Sequence, residues 1–336
     1  MNIIVPMAGR GSRLRPHTLS IPKPLIPVGG KPIVHRLVED IAEVCAEPIQ
    51  QIAFVIGDFG KEVEEELLAV AAKLGAKGSI HYQHEPLGTA HAVLCASEHL
   101  EGPVVVAFAD TLFKANFTIK PEDDGILWVK QIDDPSAFGV VQLNADGIIT
   151  DFVEKPKEFV SDLAMIGIYF FRDGGWLRKE LQYLLDNKVV KGGEYQLPDA
   201  LRRMTEGGCA FKPGEVIEWL DCGNKEATVE TNQRVLAFDY ERQKNMVSTS
   251  AIIQDSVIIP PCYIGENVHI SNSVVGPHVS IGAGSNIKET VIVNSMVQQQ
   301  AKLSQLVVKN TMIGSHTELN GKAVDASFGD YSSVSW

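Results

Sequence analysis

The residues best suited to chemistry lie in the first 38 positions, where a short apolar run, Ile3 to Val5, feeds the loop Pro6-Met7-Ala8-Gly9-Arg10-Gly11-Ser12-Arg13. Gly9 and Gly11 can adopt positive φ and leave backbone N–H groups uncovered, an arrangement that cradles phosphate oxygens. Arg10, Arg13, Arg15, Lys23, Lys31 and Arg36 fall within this stretch, and no Asp or Glu precedes Glu39, so the segment is +6 in a chain of net charge −12. Positive charge concentrated at one glycine loop of an acidic protein fits a polyphosphate ligand. The spacing Gly9-x-Gly11-x-x-Leu14 approaches a dinucleotide-binding fingerprint. That fold needs a long helix directly after the loop, which Pro16, Pro22, Pro24 and Pro27 forbid, and the Lys-[Ser/Thr] of a P-loop is missing.

Such a loop needs a sheet to hold it. Ile33, Val34, Leu37, Val38, Ile41 and Val44 recur at helical spacing, and Ile52 to Ile56 is a continuous apolar run suited to a buried parallel strand. The alternation repeats with a helix around Val63 to Leu74, a strand at Ile80 to Tyr82, a helix from Ala90 to Glu98, and a strand at Val104 to Phe108 before Asp110. This pattern implies an α/β, doubly wound parallel sheet with its ligand beyond the carboxyl ends of the strands, where Gly9, Gln83 and Asp110 fall. From Ile126 to Phe171 the strands read as antiparallel, like a subdomain laid on the first sheet. Helices are expected at Trp176 to Leu185, Gln196 to Met204 and Ala227 to Phe238, with a strand at Val216 to Leu220 ending at Asp221.

The globular part closes near residue 245, and from about 250 a period of six begins: Ile258, Ile264 and Ile270; Val275, Ile281, Ile287 and Val293; Val307, Ile313 and Leu319. One inward aliphatic per side of a triangular coil is the pattern of a parallel β-helix over 250–325. The period slips after Ile270 and after Val293, which predicts irregular corners or a loop. Residues 326–336 form a polar tail.

Composition narrows the partners. Net charge −12 argues against nucleic acid, and no apolar run approaches the ~20 residues that span a bilayer. The five scattered cysteines read as reduced thiols of a cytoplasmic protein, and no secretory leader is visible. A solenoid must cover its ends, against the first domain or another copy, so a homo-oligomer is expected.

The loop Gly9-x-Gly11-Ser12-Arg13-Leu14-x-Pro16 with Pro22-Lys23-Pro24-Leu25 resembles the sugar-1-phosphate nucleotidylyltransferases, in particular the glucose-1-phosphate thymidylyl- and uridylyltransferases that carry a C-terminal left-handed β-helix. Glu85 to Ala90, Phe138 to Val141, Glu154-Lys155-Pro156, Gly167 to Tyr169, Gly193 to Leu197 and Trp219 to Gly223 follow in the family's order, so the resemblance covers nearly the whole chain. It implies a mixed, mostly parallel Rossmann-like nucleotidyltransferase sheet over 1–245 followed by the left-handed β-helix. It also implies transfer of a nucleotidyl group from a nucleoside triphosphate to a hexose 1-phosphate, with glucose 1-phosphate the expected acceptor, and release of pyrophosphate.

By the same resemblance, Arg13, Lys23 and Lys155 are the catalytic cations: the first two on the triphosphate, Lys155 on the sugar phosphate. Ala8, Gly9, Gly11, Ser12, Gln83 and Gly88 would bind the nucleotide, and Gly139, Glu154 and Tyr169 would surround the sugar. Asp110 and Asp221 are the carboxylates expected to hold Mg²⁺. Gln83 falls where the family reads the base, and its amide offers one donor and one acceptor, matching uracil or thymine. UTP and dTTP differ by one methyl, and the choice stays open. Arg10, Ser12 and Thr111 depart from the commonest family pattern. Ser12 has no paired base and is not read as a nucleophile. His81, His84 and His91 cluster in sequence near the base loop without a compact His/Cys ligand set, so no zinc site is expected there. His269, His278 and His316 lie in the solenoid, where some relatives are acyltransferases. Two other readings therefore remain: a bifunctional nucleotidylyltransferase and acyltransferase, and a catalytically inactive nucleotide-sugar-binding regulator.

Overall fold

The computed structural model describes residues 1–9, 11–115, 119 and 122–322; Arg10 and the tail at 326–336 lie outside them. Contacts divide the chain into two compact units, Met1–Ile26 with Lys31–Ala227, and Pro27–Gly30 with Thr228–Trp336.

The first unit is built on a nine-stranded mixed sheet. In chain order its elements are β1 (Asn2–Pro6), α1 (Ile33–Val44), β2 (Gln51–Ile56), α2 (Lys61–Lys73), β3 (Lys77–Tyr82), α3 (Thr89–Leu94), β4 (Val104–Ala107), β5 (Thr111–Lys114), β6 (Gly125–Gln131), β7 (Gly139–Leu143), β8 (Ile149–Glu154), β9 (Leu163–Phe171), α4 (Gly174–Asp186), α5 (Leu197–Glu206), β10 (Phe211–Glu215) and β11 (Glu218–Asp221). The strands run β8-β7-β9-β4-β1-β2-β3, with β6 beside β9 and β10 beside β6. β1, β2, β3 and β4 are parallel, and all six residues of β2 are buried, as a strand covered on both faces requires. α1 buries Ile33, Val34, Leu37, Val38, Ile41 and Val44 along one stripe.

The middle segment is not a subdomain laid on this sheet. β9 pairs antiparallel with β4, so the antiparallel strands extend the same sheet edge to edge. The expected helix from Ala90 to Glu98 stops at Leu94, and a separate 3₁₀ turn covers Ser97–His99. Asp173 caps α4 by accepting from the Trp176 N–H at 3.1 Å.

In the second unit the chain from Ile252 winds through three parallel sheets, one per side of a β-helix, consistent with a left-handed coil. Registers fix its phase: Ile270, Ile287 and Leu303 stack on one side, Val275, Ile292 and Val308 on the second, Ile264, Ile281, Val297 and Ile313 on the third. His269 pairs with Asn286 and Asn286 with Lys302, so successive coils are 17 and then 16 residues long. Of the irregular corners or loop expected after Val293, no loop interrupts the coil among the described residues. Some sides are five residues long, and the inward positions are Ile292 and Val308, while Val307 is 84% exposed. The corners are turned by residues in the left-handed region, among them Asn272, Glu289 and Gln305 on one edge and His278, Asn294 and Asn310 on another. Serine hydroxyls bind the corners together: the Thr290 N–H donates to Ser273 Oγ at 3.0 Å, and the Ser273 N–H donates to Ser256 Oγ at 3.0 Å. Helix α6 (Lys225–Glu241) joins this unit from Thr228 onward, and its buried Asn232 Oδ1 accepts from Ser280 Oγ at 2.9 Å.

Candidate active site

The loop after β1 is anchored by the Met7 N–H, which donates to the Val55 carbonyl at 2.8 Å. Gly11 makes the turn at φ +62° and precedes a 3₁₀ turn, Ser12–Leu14. A Cβ at Gly11 would lie 2.7 Å from Lys23 Cβ, so both its conformation and its surroundings demand glycine. Gly9, expected to share positive φ, does not adopt it and has open space at its Cβ position. One left-handed residue suffices to reverse the chain, and Gly11 supplies it.

Ala8, Gly9, Gly11, Ser12, Arg13, Lys23, Gln83, Gly88 and Asp110 line one cavity of about 370 Å³. Lys23, whose stem is buried, reaches Asp110 through an ion pair of 3.0 Å between Nζ and Oδ2. Asp221 does not line the cavity but adjoins it. β5 and β11 pair antiparallel with Asp221 opposite Thr111, and the Cys222 N–H donates to the Asp110 carbonyl at 3.0 Å, so the two aspartates become neighbours. Burial raises the Asp221 pKa and the Asp110 charge raises it further, while Lys23, the Gly223 N–H and Arg13 oppose the rise. Asp110, just before β5, and Asp221, at the end of β11, make a hard oxygen donor set suited to a divalent cation.

Gln83 follows β3, and its Nε2 donates to the Gly88 carbonyl and to His91 Nδ1, both at 3.1 Å. Gly88, at φ +113°, lets the backbone approach Tyr195: an added Cβ would lie 2.4 Å from the Tyr195 carbonyl oxygen. The Tyr195 N–H donates to Leu87, and the Ala90 N–H to Tyr195, stapling this loop to the segment before α5. Thr89, Phe108, Glu194 and Gly223 also line the cavity, although sequence reasoning gave them no role. Glu194 and Gly223 stood within quoted motifs, but nothing in their residue types distinguished them from neighbours.

Gly139, Glu154, Lys155 and Tyr169 do not line that cavity and gather beside it. Glu154 and Gly139 are paired across β7 and β8, and a Cβ at Gly139 would come within 2.8 Å of Glu154 Oε2. Partial burial raises the Glu154 pKa, Lys155 lowers it and Glu194 raises it, linking this group electrostatically to the cavity wall. Tyr169 is buried, its hydroxyl pKa raised by burial and then by Glu154 and Asp110, and its ring meets Phe108 edge-on at 6.3 Å. Lys155 sits at φ +45°, a conformation that costs a non-glycine residue roughly 1–2 kcal/mol, with its N–H donating to Phe138 at 3.1 Å.

The three histidines grouped by sequence part company: His84 stacks on Tyr82, His91 binds Gln83, and His81 joins Glu98 and His99. His278 and His316 are left-handed corner residues of the β-helix.

A nucleotidyl transferase family profile matches residues 2–237. A low-salt glycan biosynthesis nucleotidyltransferase of Haloferax volcanii is 29% identical over 319 residues, covering 88% of this chain and 87% of that protein. A glucose-1-phosphate thymidylyltransferase of Streptomyces antibioticus is 28% identical over 347 residues, covering 95% and 93%. A UDP-glucose pyrophosphorylase solved with UDP-glucose matches with a TM-score of 0.58 at 23% identity, over 72% of this chain and 99% of that one, a likeness of fold.

Proposed function

Because the chain belongs to the nucleotidyl transferase family, we propose that it transfers a nucleotidyl group from UTP or dTTP to a hexose 1-phosphate, glucose 1-phosphate first among them, releasing pyrophosphate. The observation that carries this reading is one cavity lined by the glycine loop, Arg13, the Lys23–Asp110 pair and Gln83. The reaction needs no protein nucleophile. An oxygen of the sugar phosphate attacks the α-phosphorus, the bond to the β-phosphate oxygen breaks, and pyrophosphate departs with its electron pair. Two anions must approach each other, so positioning and charge neutralisation dominate.

Backbone N–H groups of Ala8, Gly9, Gly11 and Ser12 and the cations of Arg13 and Lys23 receive the triphosphate and steady the departing pyrophosphate. Lys155 orients the sugar phosphate, with Gly139, Glu154 and Tyr169 around the hexose. Gln83 and Gly88 take the pyrimidine edge. Asp110 and Asp221 would hold Mg²⁺, which would supply neutralisation of phosphate charge.

Catalysis is assigned to residues 1–245 and self-assembly to the β-helix at 250–325. An outward ladder of Val257, Val274, Val291 and Val307, with three of the four exposed, supports the second assignment. Site of action in the cytoplasm is supported by five cysteines outside any disulfide, and no helix among the described residues is long and apolar enough to cross a membrane.

Pyrophosphate release tests the reading, measured with each of UTP, dTTP, CTP, ATP and GTP against glucose, galactose and N-acetylglucosamine 1-phosphates. Release confined to UTP or dTTP with a hexose 1-phosphate is expected; none with any pair rejects it.

A further inference from the structure

We propose that His81, Glu98 and His99 form a binding site for a zinc-type divalent ion, separate from the Asp110 and Asp221 pair. Their donor atoms, one per residue, all lie within 4.8 Å of one another. His99 Nε2 is 3.2 Å and His81 Nε2 3.9 Å from the same carboxylate oxygen, Glu98 Oε1. Tetrahedral zinc with bonds of about 2.0–2.1 Å sets its donors roughly 3.3 Å apart, so closing any pair by no more than about 1.5 Å completes the set.

Ser79 faces the same two nitrogens. Ser79 Oγ lies 3.0 Å from both Nε2 atoms and accepts from Gln51 Nε2 at 2.7 Å. Having one proton, that hydroxyl can donate to only one ring. His99 can donate its Nε2 proton to Glu98, leaving the hydroxyl proton for the lone pair of His81 Nε2. Both imidazoles therefore present the same nitrogen to one point, their rings nearly perpendicular with centroids 5.0 Å apart. The His99 carbonyl is itself fixed, accepting from Asn2 Nδ2 at 3.0 Å. Two imidazoles with one carboxylate favour a borderline ion such as Zn²⁺ or Co²⁺ over Mg²⁺ or Ca²⁺, which prefer oxygen donors throughout. Three protein donors leave one position for the Ser79 hydroxyl or water.

The placement gives such an ion a consequence. His81 is near the end of β3, while Glu98 and His99 belong to the 3₁₀ turn after α3. The segment between them carries Gln83, Gly88 and Thr89, which line the cavity. A bound ion fastens both ends of that segment.

The full-length protein, stripped with chelator and kept in excess Mg²⁺ to saturate oxygen-rich sites, is titrated with Co²⁺ and with Zn²⁺. One equivalent of Co²⁺ is expected to give the visible d–d absorption of a four-coordinate centre, and Zn²⁺ to displace it and raise Tm. Glu98 is exposed, so Glu98→Gln tests the site without threatening the fold, and it is expected to weaken binding at least tenfold. His99→Asn abolishes the absorption, whereas Asp110→Asn and Asp221→Asn leave it intact. Absence of saturable absorption overturns the proposal, as does absorption that survives Glu98→Gln and His99→Asn or disappears in Asp221→Asn.

Discussion

Lys23 and Asp110, 87 positions apart, meet through a 3.0 Å ion pair on the wall of the cavity, and the same ammonium opposes the rise that burial and Asp110 impose on the Asp221 pKa. Lys23 thus counters both carboxylates while standing where a triphosphate would bring its own negative charge. Lys23→Met keeps most of the buried stem and removes the charge. It is expected to lower kcat by roughly 10²–10³-fold, the scale of losing one charged group aimed at the transition state. Without Lys23 the protonated form of Asp221 gains, so the acid limb of the pH–rate profile should move to higher pH. Pyrophosphate-release kinetics across pH check both effects; an unshifted limb would count against the coupling.

Gly9 and Gly11 are alike in sequence and unlike in structure. Gly11→Ala places a methyl group 2.7 Å from Lys23 Cβ on a left-handed backbone, whereas Gly9→Ala meets nothing within 4 Å. Gly11→Ala should cost about 1–3 kcal/mol of stability. Gly9→Ala should leave Tm within about 1–2 °C of wild type and act on nucleotide KM alone. Thermal denaturation beside steady-state kinetics separates the two.

Gln83 holds the Gly88 carbonyl and neutral His91 with one amide nitrogen. Burial lowers the His91 pKa, which keeps the ring a hydrogen-bond acceptor at neutral pH. A carboxylate at position 83 can donate to neither partner and repels the Gly88 carbonyl. Gln83→Glu is expected to raise KM for UTP and dTTP about 10–100-fold, corresponding to roughly 1–3 kcal/mol, with a smaller change in kcat. Equal losses in KM for purine and pyrimidine triphosphates would show that the residue shapes the loop instead of reading the base.

Much of this was legible because local signals agreed with the fold: the charge of the loop, the helical stripe of α1 and the apolar β2 each needed only neighbouring residues. The phase of the β-helix did not. Ile292-Val293 and Val307-Val308 are adjacent aliphatics, so either member could continue a six-residue series, and only cross-coil pairing selects Ile292 and Val308. The neighbourhood of Asp110 and Asp221 depends likewise on β5 meeting β11 across about a hundred residues. His81 was grouped with its sequence neighbours, whereas the chain's return after α3 brings Glu98 and His99 to it.

Asp40 on α1 titrates near neutrality, away from the cavity. Burial, then Glu43, pushes its pKa up from 3.8 to about 7, with Arg36 and Lys114 opposing and Glu39 adding to the rise. The unfolded chain releases this proton near pH 4, while the folded protein keeps it until about pH 7. Folding therefore takes up a proton between those values, and Asp40's contribution to stability falls as pH rises through that window. Above it the folded state carries an ionised, largely buried carboxylate. Asp40→Asn removes the titration, so the variant should match wild type near pH 4 and exceed it at pH 8 by up to about 4 kcal/mol. Urea denaturation at pH 5, 6, 7 and 8 measures the difference. A gap that fails to widen with pH would place the proton elsewhere.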